Sequence, residues 1–375
     1  MEKLRNMLYA VTERVVPAAA FQKMWAYYVK KNPKFDENRY ENTYILSSKR
    51  GKKQYFVFRY KFGHMGIVAV ARSALMACEW AQRHKMIPII DYEWGYIYED
   101  NKLGIDNMWE SIFIPITPIE QVMKEDNVLV GFINDTYSDP YIREKFTGSK
   151  DEPWLQFADE NWREYYKKIN VYAQKWWRFR EDVLERFTDT YRKLFRSDMK
   201  ILGIALREEF SLKKEEIKGT LLEEHPHQLG IEEMIPLIKQ YMEKWNCTHL
   251  FVTTQMEDSI RRFQEEFGDK LLFTDRGRVE FDKFKKTRSI TEKYIFKRPK
   301  EFYEWINSEN ECAKLAKENV WNKKVLLEYL EEIYGLSLCD CLLAGKSGGS
   351  YFACVWNGGK YDALEILPDD NGSKY

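Results

Sequence analysis

Residues 199–206 read MKILGIAL, and this almost unbroken apolar run is what most restricts the fold. A strand with one wet face alternates apolar and polar residues. A strand apolar throughout must be covered on both faces, as in a parallel sheet flanked by helices. The text that follows keeps this grammar: helical periodicity at 231–245, an apolar strand at 248–254, a helix at 257–267 and a strand at 270–273. A helix at 324–334, a strand at 339–344, a short helix and a last strand at 361–367 complete it. The first half carries a shorter version, with a β-rich segment at 54–60, a glycine turn, a helix at 67–83 and a strand at 86–91. A further strand is expected at 128–132, and a long, aromatic, charged helix or helix pair at 159–195 is expected to bridge the halves. The predicted class is α/β: two Rossmann-like, doubly wound domains, 1–195 and 196–375, facing a cleft. A chain of 375 residues is long enough to bury two cores.

Composition narrows the function. Lys plus Arg (59) equals Asp plus Glu (59), so no global charge draws the chain to nucleic acid, and an anionic partner has to be met locally. The six cysteines are scattered in apolar runs, where thiols act as small core residues, which implies a reducing, cytoplasmic compartment. Cys339 and Cys341 have the wrong spacing for a zinc knuckle or a redox pair and read as part of a buried strand. The apolar patch at 15–21 contains Pro17 and falls short of the roughly 20 residues that span a bilayer. No transmembrane segment is expected, and peripheral contact with the inner membrane face stays open.

Ligands of open parallel sheets bind beyond the carboxyl ends of the strands, so the loops after Leu206, Thr254 and Ala344 are the places to search. Arg207 follows a buried strand; its planar fork suits a diphosphate, and an ion pair with Glu208, Glu209 or a neighbouring acid is the alternative. Gly345, Lys346, Ser347, Gly348, Gly349 and Ser350 lie between a strand and a helix, where bare backbone amides and two hydroxyls suit phosphate or sugar. The spacing is not that of a P-loop. His225 and His227 flank Pro226 ahead of a helix; with no second histidine or cysteine cluster, no metal site is expected, leaving a hydrogen bond to the ligand or a surface turn. His64 occupies a glycine turn that lacks the dinucleotide fingerprint, and is either a ligand contact or a structural turn residue. Asp91 and Glu93, with Trp94 and Tyr96, sit at a strand end and are candidates for general base or acceptor recognition. The basic text from Arg276 to Lys323 reads as a solvated loop or as a flap over phosphates.

In order and spacing, GIALR at 203–207, HPHQ at 225–228, FVTT at 251–254 and AGKSGGS at 344–350 resemble the motifs of the fucosyltransferase superfamily. That superfamily includes core α1,6-, nodulation and protein O-fucosyltransferases, and the texture is similar to its bacterial polysaccharide-building members. The likeness covers about residues 200–367, with a looser echo at 63–91 and 108–110. It implies a GT-B fold and metal-independent, inverting transfer of a sugar from a nucleotide-sugar donor, GDP-fucose first, to a bacterial surface-glycan acceptor, with no cofactor. Arg207 falls on the family's diphosphate-binding arginine, Ser347 to Ser350 on its nucleotide loop, and His225, Thr254, Gln255, Lys346 and His64 join the expected donor contacts. Arg207, Glu209 and Asp91 are the expected catalytic set. The chain departs from the pattern at Ala205, where relatives carry histidine, at Glu208, at Phe210, and at Gln255 and Met256, where an acid is usual. A binding protein that keeps the fold without catalysis is the alternative function.

Overall fold

The structure, a computed structural model, describes residues 41–48, 53–60, 67–83, 85–92, 107–118, 121, 127–131, 161–207, 228–280, 282, 305, 307–319 and 323–367. The chain divides into two compact units, one holding Met1–Gly63, Ser73–Trp94 and Ile105–Glu152, the other His64–Arg72, Gly95–Gly104 and Pro153–Tyr375. The fold class is α/β, as the alternation predicts.

In the first unit, strands β1 (Glu41–Ser48), β2 (Gln54–Tyr60), β3 (Ile87–Tyr92) and β4 (Asn127–Gly131) form one sheet in the order β3-β2-β1-β4. Helix α1 (Ile67–Arg83), whose residues up to Arg72 count with the second unit, joins the parallel pair β2 and β3, which is the expected βαβ unit. Its buried positions Ala71, Ala74, Leu75, Cys78 and Ala81 recur at three- and four-residue steps, so small side chains form its inward stripe. Strand β1 was not anticipated. It pairs antiparallel with both β2 and β4, so this sheet is mixed. Beside β3, Asn107 donates from Nδ2 to the Ile90 carbonyl at 2.7 Å and accepts the Trp109 amide at 3.1 Å, fixing a short 3-10 turn, Trp109–Ser111.

The second unit holds a five-stranded, wholly parallel sheet in the order β7-β6-β5-β8-β9. Its strands are β5 (Ile201–Ala205), β6 (His249–Thr253), β7 (Leu271–Leu272), β8 (Cys341–Gly345) and β9 (Ala363–Leu367). Every residue of β5 and β8 is buried, which is why both read as continuous apolar text. One face of the sheet, with Leu202, Ile204, Leu250, Val252 and Leu343, is covered by α4 (Ile231–Lys244) and α5 (Glu257–Phe267). The other face meets α3 (Glu181–Leu194) and α7 (Lys323–Leu338), the helix after α6 (Glu311–Asn319): Phe251 packs edge-on against Tyr191, and Gly203 faces Leu336 and Cys339 closely enough that a side chain would crowd them. Helix α2 (Trp162–Trp176) lies against α8 (Gly348–Asn357), where Trp177, just past the end of α2, stacks on Phe352 at 4.0 Å. The charged, aromatic helices at 162–194 therefore cover the second unit's core.

The cysteines described, Cys78, Cys247, Cys339, Cys341 and Cys354, are free thiols, all but Cys247 buried. Among the described residues no helix is long and apolar enough to cross a membrane.

Where α3 meets α7, Gly335 leaves room for the Tyr191 ring, whose hydroxyl donates to the Glu331 carbonyl at 2.8 Å. A methyl group at 335 would run into that buried ring. Gly335→Ala is expected to destabilise the chain by about 1–3 kcal/mol in urea unfolding, despite alanine's better helix propensity. An unchanged midpoint would show that the two helices do not meet at this point.

Candidate functional site at the carboxyl edge of the parallel sheet

From β5 the chain winds outward to β6 and β7, then crosses back to place β8 on the other side of β5. The reversal makes the β5–β8 boundary the topological switch point, the place where open parallel sheets of this kind bind their ligands. The register sets Ala205 opposite both Ala344 and Thr253. Arg207 and Lys346 each therefore stand two residues past one register level, on adjacent strands, with Gln255 two past the same level on β6. Arg207 is half-buried, as are Lys346 and Gln255.

The loop after β8 is built by close approach. Gly345 lies against the buried amide of Gln228, whose Nε2 donates to the Lys346 carbonyl at 3.1 Å, so a side chain at 345 would displace the residue that pins the loop. The space over Gly349 is taken by the Tyr329 hydroxyl, 2.8 Å from where a Cβ would sit, and Gly348 faces Val68. Ser347 is the N-cap of α8: its Oγ accepts the Ser350 amide at 3.1 Å and lies 2.8 Å from the Ser350 Oγ. The hydroxyls of Ser347 and the fully buried Ser350 are thus committed to the helix start. What the loop offers a ligand is the positive end of α8 and its leading amides. Ser347→Ala is expected to cost about 1 kcal/mol of stability, read by urea unfolding, because the Ser350 amide loses its cap.

Past β6, Thr254 is buried and its Oγ1 accepts the Met256 amide at 3.1 Å, while the Gln255 carbonyl accepts the Val279 amide at 3.0 Å. That pair extends the sheet edge through a parallel bridge between Met256 and Val279. Asp91 lies in β3 of the first unit, opposite Arg59. His64, Glu209 and His225 lie outside the described residues, as do Glu93, Trp94, Tyr96, Glu208, Phe210, His227 and the lysines at 283–297.

Sequence reasoning missed a charged cluster in the loop after β7. Arg276, Arg278 and Glu332 have side chains only 3%, 3% and 1% exposed. Glu332 accepts from Arg276 Nη1 at 2.5 Å, Arg278 Nη2 at 3.1 Å and Thr274 Oγ1 at 2.9 Å. Arg278 also donates to the Thr274 carbonyl at 2.8 Å. Burial pulls the Arg278 guanidinium below the ordinary arginine range, the Glu332 carboxylate opposing it. The start of the basic stretch is therefore interior, where a solvated loop or flap was expected. The available signal was a strand end followed at once by two arginines around a glycine, a pattern equally typical of exposed turns. No group of three or more metal-ligating side chains occurs among the described residues.

No protein-family model matches the sequence, and no curated protein matches it. Among solved structures, one of the NodZ α-1,6-fucosyltransferase soaked with GDP-fucose aligns over 80% of this chain and 92% of its own, at 11% identity and a TM-score of 0.42. A second, of the fucosyltransferase NodZ from Bradyrhizobium, aligns over 80% and 93%, at 12% identity and a TM-score of 0.42.

Proposed function

We propose that the chain is a glycosyltransferase that holds a nucleotide-sugar donor at the carboxyl edge of the parallel sheet and transfers its sugar without a metal. One observation carries this reading: Arg207 and the 345–350 loop leave adjacent parallel strands at one level, on either side of the switch point. A diphosphate set there would meet a permanent cation on one side and a helix N-terminus on the other. In the reaction, a base takes the proton of an acceptor hydroxyl, the oxygen attacks the anomeric carbon, and the bond to the diphosphate breaks with inversion. Arg207 stabilises the charge that grows on the departing diphosphate, the task a divalent ion performs in other transferases. Glu209, Asp91 and His64 are the candidates for the base. The motif likeness favours a GDP-sugar, fucose first, and a bacterial surface glycan as acceptor.

The test is binding and turnover across GDP-, UDP- and CDP-sugars, followed by transfer to glycan acceptors, for the parent chain and Arg207→Ala. Saturable binding with arginine-dependent turnover supports the proposal. Binding with no hydrolysis or transfer would identify a sugar-nucleotide-binding protein instead, a reading favoured by the motif departures at Ala205, Gln255 and Met256. Absence of binding to any of them would remove both.

A further inference from the structure

Gln228 ends the HPHQ segment, and its buried side chain donates from Nε2 to the Lys346 carbonyl at 3.1 Å. The group is held from two sides. Two residues on, the Gly230 amide donates to Glu233 Oε2 at 2.9 Å and fixes the start of α4, while Gly345 leaves bare backbone for the Gln228 amide to rest on. A peptide group is planar, and no cis bond occurs among the described residues, so the Ser347 N–H points the opposite way from the Lys346 carbonyl oxygen. Holding that oxygen toward Gln228 therefore turns the Ser347 N–H away from it. Among the described residues this amide has no hydrogen-bond acceptor, and neither have the amides of Gly348 and Gly349 that follow. Three consecutive donors are left for an acceptor that the fold does not supply. Glutamine suits the task behind them, because its amide donates without carrying a charge that would compete for the ligand, and a glutamate carboxylate could not donate at all.

We propose that Gln228 is a positioning residue for the donor: by fixing the plane of the 346–347 peptide it aims the Ser347 N–H at the diphosphate of the nucleotide sugar. Its role rests on the donor reading above, and it acts through the loop without touching the ligand.

The experiment is calorimetric titration of the intact chain with GDP, UDP and CDP, for the parent and for Gln228→Met, which keeps the length of the side chain but has no donor. For the diphosphate that binds, Kd is expected to rise about 10–100-fold in the variant, the effect of losing one hydrogen bond to a charged group. With the matching sugar nucleotide the rise is expected in KM, with kcat within a few-fold of the parent. A merely structural role would lower the urea midpoint and the active fraction and leave the affinity of the folded protein unchanged. Parent crystals soaked with the same diphosphate are expected to place a phosphate oxygen about 3 Å from the Ser347 nitrogen. A variant that binds as tightly as the parent would overturn the role of Gln228 and leave the donor reading standing, whereas a parent that binds none of the three would overturn both. If the variant does not fold, the soaked crystal decides: a phosphate that meets Arg207 but not the Ser347 amide overturns the proposal.

Discussion

Glu332→Ala is expected to destabilise the second unit by about 3–5 kcal/mol, the loss that follows removal of one partner from a buried ion pair. The carboxylate is the common acceptor for Arg276, Arg278 and Thr274, so its loss strands three donors at once. Neither arginine can shed its charge, and neither can reach water without pulling the 273–279 loop off α7. Glu332→Gln keeps the shape and one acceptor oxygen and is expected to lose less. Replacing Glu332, Arg276 and Arg278 together by leucine and methionine is expected to return stability to near the parent value, since no member of this buried ion cluster is then left without its partner. Urea unfolding of the four proteins gives the comparison. A Glu332→Ala variant within about 1 kcal/mol of the parent would mean that the cluster is solvated and not assembled as described.

Arg207→Ala is expected to lower turnover of the sugar nucleotide by about 10²–10³-fold, the range found when one fixed charge or donor is taken from a developing anion. Arg207→Lys is expected to recover only part of the rate, since an ammonium is a point charge and cannot hold two phosphate oxygens in one plane. If the arginine acts on the leaving group, the loss appears mainly in kcat; if it only anchors the ground state, KM rises and kcat stays. Steady-state kinetics on whichever donor the binding panel identifies make the distinction. Turnover within a few-fold of the parent would separate Arg207 from the chemistry.

Much of the second unit was legible beforehand, because strands buried on both faces announce themselves. Strands β5, β6 and β9 and helix α4 fall inside the segments read from apolar runs and helical spacing, and β8 runs one residue past its segment, to Gly345. The first unit was harder. Its βαβ unit was visible, but β1 reads ENTYILSS, with an apolar stretch only three residues long between polar ends, and its strand state comes from pairing with β2 and β4. The candidate site divides in the same way. Arg207 and the glycine-serine loop could be picked out because each follows an apolar strand. That the Ser347 and Ser350 hydroxyls are used up in starting α8, and that the Thr254 hydroxyl is turned inward, is invisible in a list of residue types.

Local patterning alone determined the α/β class, the all-parallel character of the second sheet and the places where its strands end, since each follows from short-range apolar periodicity. Only the tertiary structure decided that β8 returns to lie beside β5, which brings Arg207 and Lys346 to one level on adjacent strands. It alone decided that Arg276 is buried against a carboxylate 56 residues away in sequence. Strand order and buried ion pairs depend on contacts between distant segments, whose free energy belongs to the assembled core and leaves no periodic trace in the chain.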